Sequence, residues 1–329
     1  MTTSAIEVVT LGEALVALVA REVGPLASVG TFEPHVAGAE ANVAVGLARL
    51  GHPTAFIGRV GDDGFGTTIR RSLRGEGVDV SMLTTDPSAA TGVLVRERRS
   101  FGAAEVTYLR SGSAGSRLRP EDVASAFASR TLKGTRWLHV TGITPALSAH
   151  ARAAVERAIE LASIAGMTIS LDLNLRRKLW ADDEAAPVLR ALVARADVIF
   201  ASPDEAAAVT GADAGDSAAL ATSLLELGPT IAVIKLGADG ALAWGHGEPP
   251  VHRAAVPVAP PVDPVGAGDA FCAGFIAARL EGGDLAWAVE IGAVCGAAVV
   301  AVVGDQAGLP DREELERLLT DGAATDILR

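Results

Sequence analysis

Short β-branched runs alternate with longer Ala/Leu/Arg stretches of helical period along most of this chain, and that alternation is what most narrows its fold. Strand-like runs occupy residues 8–11, 54–60, 137–141, 168–172, 198–201 and 231–236. Helical stretches occupy 41–50, 66–75, 120–129, 149–165, 184–194 and 217–227. A chain that follows each strand with a helix rejoins its sheet in parallel, the helix crossing over one face. The expected fold is therefore α/β: a doubly wound, mostly parallel sheet with helices on both faces.

Two segments, 16–36 and 91–110, break this rhythm. The second alternates apolar and polar residues through Thr91-Gly92-Val93-Leu94-Val95-Arg96 and again through Val106-Thr107-Tyr108-Leu109-Arg110. A period of two suits half-exposed strands, so these segments predict a small separate β-sheet, a lid at the mouth of the large one. No internal repeat, coiled coil or long linker divides the chain, and residues 1–329 read as one domain.

Charge removes several function classes. With 28 basic against 40 acidic side chains the net charge is -12, a field that repels nucleic acid and anionic membrane surfaces. Lysine occurs only at Lys133, Lys178 and Lys235, so arginine must do most of any anion binding, through its planar fork. Cys272 and Cys295 lie in apolar, helix-like surroundings without paired spacing and read as buried thiols of a reducing compartment. Met1-Thr2-Thr3-Ser4 lacks a basic region followed by an apolar one, and the expected location is the cytoplasm. The six histidines show no metal-binding spacing.

The chemistry concentrates near the C-terminal end. After a Pro-rich loop, 257–264, the chain runs through Gly266-Ala267-Gly268-Asp269 into a long apolar helix at 270–281, followed by another at 285–303. Glycines that open a helix let its first N–H groups and its positive dipole end face an incoming anion. A carboxylate in that first turn is an ordinary dipole-compensating choice, but at an anion cradle it is also placed to take a proton.

The run Asp263-Pro264-Val265-Gly266-Ala267-Gly268-Asp269-Ala270-Phe271 resembles the signature of the ribokinase-like (PfkB) sugar kinases, departing from it at Pro264, where the family has Thr. Proline there removes an N–H and a hydroxyl. The resemblance extends to Gly38-Ala39-Glu40-Ala41-Asn42, to Gly58-Arg59-Val60-Gly61-Asp62-Asp63-Gly64, to Ser202-Pro203-Asp204-Glu205 and to Lys235-Leu236-Gly237-Ala238-Asp239-Gly240. Within the family, Tyr108-Leu109-Arg110-Ser111-Gly112-Ser113-Ala114 and Asp172-Leu173-Asn174-Leu175-Arg176 are most similar to the 2-keto-3-deoxygluconate kinases.

The resemblance implies phosphoryl transfer from MgATP to a terminal sugar hydroxyl. Asp269 would accept the hydroxyl proton while the Gly266, Ala267 and Gly268 amides hold the moving phosphoryl group. It implies sugar contacts at Gly38, Asn42, Tyr108, Arg110, Arg176 and Asp305. The nucleotide would lie against Asn174, Ser202, Lys235, Gly237, Ala238 and Gly240, along with Gly266 and Gly268. Glu205 would hold Mg2+ through water, as a hard cation that keeps most of its waters allows; the family also admits a monovalent cation. The partner implied is a small sugar or sugar acid, and a homo-oligomer is expected.

A sugar acid carries a carboxylate that neutral sugars lack, and Arg110 and Arg176 are candidates to hold it by charge-assisted bidentate bonds. Both have blander readings, Arg110 as the solvated face of a strand and Arg176 as part of an exposed Arg176-Arg177-Lys178 cluster. A fructokinase-like neutral-sugar kinase and a sugar-binding regulator without catalysis are the rivals. A Rossmann dehydrogenase is excluded because Gly12-Glu13-Ala14, not Gly-x-Gly-x-x-Gly, follows the first strand. A P-loop kinase is excluded because no Gly-Lys pair exists in the chain.

Overall fold

The computed structural model describes residues 5–99, 105–258 and 261–321, so residues 100–104 of the second lid segment and 259–260 of the Pro-rich loop lie outside it. The strands are β1 (Val8–Leu11), β2 (Leu15–Val23), β3 (Phe32–Ala37), β4 (Thr54–Gly61), β5 (Leu83–Asp86), β6 (Val93–Arg98) and β7 (Val106–Leu109). They continue as β8 (Trp137–Thr141), β9 (Thr168–Asp172), β10 (Val198–Ala201), β11 (Ile231–Lys235), β12 (Ala241–Gly245) and β13 (Glu248–Arg253).

Nine of these form one sheet in the order β13-β12-β11-β10-β9-β8-β1-β4-β5, parallel from β11 through to β5. Parallel strands covered on both faces read as continuous apolar runs. All residues of β1, β8 and β10 are buried. Successive side chains go to opposite faces, so Val8 and Phe200 join one apolar core while Val9 and Ile199 join the other.

Two antiparallel strands, β12 and β13, extend the sheet beyond what the sequence predicted. The reason is local: β13 contains Pro249 and Pro250, which an edge strand tolerates because its outer N–H groups need no ladder partner. The short β5 and the helices Pro203–Thr210 and Arg312–Asp321 also went unpredicted.

The two segments outside the α/β rhythm do form a separate four-stranded sheet, ordered β3-β2-β6-β7. Its first segment begins one residue earlier than expected, at Leu15, and ends one residue later, at Ala37. Lys178, in the loop after β9, donates to the Val106 carbonyl at 3.0 Å and so ties this small sheet to the large one.

The helix Ala267–Leu280 is locked by aromatic packing and by close helix contacts. Phe275 meets Phe200 of β10 edge-on, centroids 5.1 Å apart. A Cβ on Gly274 would lie 2.8 Å from the Ile291 carbonyl, and one on Gly46 would lie 2.7 Å from the Ala273 methyl, so the neighbouring helices approach as closely as backbones allow. This fixes the N-terminal end of the helix above the carboxyl ends of β9 to β11, where open α/β sheets bind ligands. Among the described residues no helix is long and apolar enough to cross a membrane.

Candidate active site

Gly266 caps the helix Ala267–Leu280 in the left-handed conformation, φ 85°, and a Cβ there would come within 2.5 Å of the Asp305 carbonyl. Only glycine fits. The amides of Gly266 and Gly268 have no partner among the described residues and both residues line a cleft of about 660 Å3. Ala267 is a correction to the expected cradle. Its amide turns back to the Pro264 carbonyl at 3.3 Å and it does not line the cleft.

Asp269 stands in the first turn of that helix and lines the same cleft. Asn42 donates from Nδ2 to its Oδ2 at 2.8 Å, and Gln306 in turn donates to Asn42 Oδ1 at 3.0 Å. The carboxyl keeps a water-facing surface, yet the protein around it desolvates it enough to push its pKa up to about 7. Asp172 adds to the rise, while Asn42, Lys235 and Arg176 oppose it.

Asp172 and Lys235 end β9 and β11 and form an ion pair of 2.6 Å beside the cradle. Burial works against the Lys235 ammonium, but Asp172 leads the charges that hold its pKa above the ordinary lysine value. A Cβ on Gly268 would lie 3.4 Å from Lys235 Nζ, so the ammonium sits directly against the first turn of the helix. Asp172 Oδ1 is buried and unpartnered. Sequence reasoning quoted Asp172 within a motif but gave it no role.

Across the cleft stand Gly38, Tyr108, Arg110, Arg176 and Asp305. Gly38, φ 128°, caps the helix Ala39–Arg49 where a Cβ would strike the Glu13 carbonyl at 2.3 Å. The two arginines prove unlike. Arg110 is buried, stacked 5.5 Å over the Tyr108 ring and paired with the equally buried Glu13 at 2.5 Å. Arg176 is exposed and enters no ion pair among the described residues, whereas its neighbour Arg177 pairs with Asp182. The blander alternative for Arg110, a solvated strand face, does not hold. Glu13 was missed, although a carboxylate between the apolar β1 and β2 is a signal in itself.

The nucleotide-side candidates divide. Asn174, Ser202, Glu205 and Lys235 line the cleft, but Gly237, Ala238 and Gly240 lie on the turn after β11, outside its walls. Asn174 holds a positive φ of 38°, the one such non-glycine among the described residues, and backbone strain of this kind concentrates at working sites. Glu205 accepts from the Ser202 amide at 2.8 Å and the Leu175 amide at 3.0 Å, so it caps its own helix and shapes the loop after β9.

Among the described residues no three His, Cys, Asp or Glu side chains cluster as a metal site. The unpartnered Asp172 Oδ1 and the carboxylate of Glu205 nonetheless give the cleft oxygen donors. That set fits Mg2+, which binds through one or two carboxylates, phosphates and its own waters.

Residues 5–312 match the model of the pfkB family carbohydrate kinases. The chain belongs to this family. A 2-dehydro-3-deoxygluconokinase of Thermoproteus tenax is 40% identical over 318 residues, 95% of this chain and 94% of that one. A fructokinase of Klebsiella pneumoniae is 37% identical over 290 residues, 86% and 91% of the two chains. An E. coli structure provisionally named Ribokinase II, in complex with ATP and Mg2+, superposes with a TM-score of 0.87 at 28% identity, covering 96% of this chain and 99% of that one. The chain is an ATP-dependent carbohydrate kinase.

Proposed function

We propose that this kinase transfers the γ-phosphate of MgATP to the terminal hydroxyl of 2-keto-3-deoxygluconate, also called 2-dehydro-3-deoxygluconate, to give the 6-phosphate. The observation that carries the reading is that Arg110 and Arg176 line the same cleft as Asp269. A neutral sugar needs no such pair of guanidinium groups. The relative from T. tenax supports it.

Asp269 takes the proton of the terminal hydroxyl, held toward it by Asn42. The Gly266 and Gly268 amides and Lys235 Nζ face the charge that develops on the transferring phosphoryl oxygens. Glu205 and Asp172 would hold Mg2+ through water, and the ion would supply neutralisation of phosphate charge. The small sheet closes over the sugar and keeps water from taking the phosphoryl group.

A base of pKa about 7 is protonated in acid, so kcat/KM should fall as pH drops through neutrality and level off above it. Steady-state assays between about pH 5.5 and 8.5 check this. A profile flat through neutrality contradicts it.

If the small sheet is a lid, amide exchange in β6 and β7 should slow when sugar and a non-hydrolysable nucleotide are both bound, while β8 to β11 change little. Hydrogen-exchange mass spectrometry reads this directly. Equal protection with and without ligands removes the lid role.

The second reading, a fructokinase, is favoured by the K. pneumoniae relative and by the neutralisation of Arg110 by Glu13. An ADP-linked assay over sugar acids and neutral sugars separates the two. Preference for 2-keto-3-deoxygluconate over fructose is expected, and the reverse order discards the sugar-acid proposal.

A further inference from the structure

Arg96 belongs to β6 of the small sheet, yet its guanidinium reaches into the loop that precedes the catalytic helix. Nη2 lies 2.6 Å from Oδ2 of Asp263 and Nη1 lies 3.2 Å from Oδ1, a bidentate fork between side chains 7% and 12% exposed. The same carboxylate is used twice more. Oδ1 accepts the Val265 amide at 3.1 Å and Oδ2 accepts the Gly304 amide at 3.3 Å. One carboxylate thus joins a strand of the small sheet, the turn leading to Gly266 and the loop that carries Asp305.

The charge balance there is unusual for an anion cradle. Asp263 and Asp305 are both buried, the first three positions before Gly266 in the chain and the second packed against Gly266 through its carbonyl. Unneutralised carboxylates at that point would repel a phosphoryl group, because buried charges are weakly screened. Arg96 also lines the cleft, so its positive charge is present at the wall that Gly266 and Gly268 share. The turn itself depends on this clamp. The Val265 amide is held by Asp263, and Gly266, next in the chain, presses against the Asp305 carbonyl at a φ only glycine accepts readily.

We propose that Arg96 is a positioning residue for phosphoryl transfer, a resident cation that neutralises Asp263 and holds the 263–266 turn in its phosphate-receiving shape. The cradle is then complete only while the small sheet is seated on the large one. The inference rests on the chain being a carbohydrate kinase and is independent of which sugar it takes.

The test compares Arg96→Met, Arg96→Lys and the double variant Arg96→Met/Asp263→Asn, using whichever sugar the wild type turns over best. For Arg96→Met, kcat should fall by on the order of 10²-fold with KM for the sugar within about threefold, since the cradle and not the sugar contacts is disturbed. Guanidinium ion at non-denaturing concentration should restore kcat by about tenfold, and the double variant should exceed Arg96→Met because no buried carboxylate is left unpaired. A bare structural prop would show neither recovery. A folded Arg96→Met enzyme with kcat within about threefold of wild type overturns the proposal, as does a loss that neither guanidinium nor the double variant relieves. Should Arg96→Met fail to fold, Arg96→Lys decides. It keeps the charge without the fork, so kcat should drop by about tenfold at an unchanged thermal midpoint, and a wild-type kcat there also overturns the proposal.

Discussion

Asp269→Asn should lower kcat by about 10²-fold or more while the sugar KM changes by less than about threefold. Asparagine keeps the size of the side chain and can still accept the Asn42 Nδ2 hydrogen bond through its amide oxygen. What it loses is the capacity to take a proton from the attacking hydroxyl. It also loses the acidic limb of the pH profile, because that limb belongs to this carboxyl, raised to about 7 by desolvation. Protonated Asp269 is the inactive form, so the wild-type loss in acid and the Asn variant's loss at every pH share one cause. Steady-state kinetics with a thermal-midpoint control measures this, and near wild-type turnover in the variant would remove Asp269 from the mechanism.

Arg176→Ala should raise KM for 2-keto-3-deoxygluconate by about 10- to 100-fold, the worth of a hydrogen bond to a charged group, with kcat and thermal midpoint little changed. Arg176 is exposed and unpaired among the described residues, so removing it leaves no other charge without a partner. Arg110→Ala should behave differently. It strands the buried Glu13 carboxylate, and removing one partner of a buried pair is strongly destabilising, by about 3–5 kcal/mol. Its thermal midpoint should therefore fall together with its affinity. Fructose, where accepted, should be hit much less by Arg176→Ala, since it carries no carboxylate. Equal weakening toward both sugars would show that Arg176 reads no acid.

The parallel sheet was legible because its central strands are buried on both faces, which makes 198–201 an unbroken apolar run and 137–141 and 168–172 largely apolar or β-branched, each bounded by helical stretches. The edge strand β13 was not, since its two prolines and its polar residues read as loop. The cradle was legible because it is local, a glycine turn opening a helix with a carboxylate three positions beyond the cap. The charge pairs that tune it are not local. Asp172 and Lys235 are 63 residues apart, and Arg96 and Asp263 are 167 apart. Asp172 meets Lys235 because β9 and β11 flank β10 in the large sheet, and Arg96 meets Asp263 because the small sheet is seated on the large one. Arg110 shows the same limit in reverse, for alternation placed it on a strand face but could not reveal that Glu13 waits behind it.

The position of the transferred phosphate tests the proposed reaction most directly. Wild-type enzyme, 2-keto-3-deoxygluconate and MgATP can be brought to completion and the product read by proton-coupled 31P NMR. Transfer to the terminal hydroxyl makes a primary phosphate ester, whose phosphorus couples to the two protons of one methylene group and appears as a triplet as ADP forms in equal amount. A doublet from a secondary ester, or inorganic phosphate alone, would contradict it.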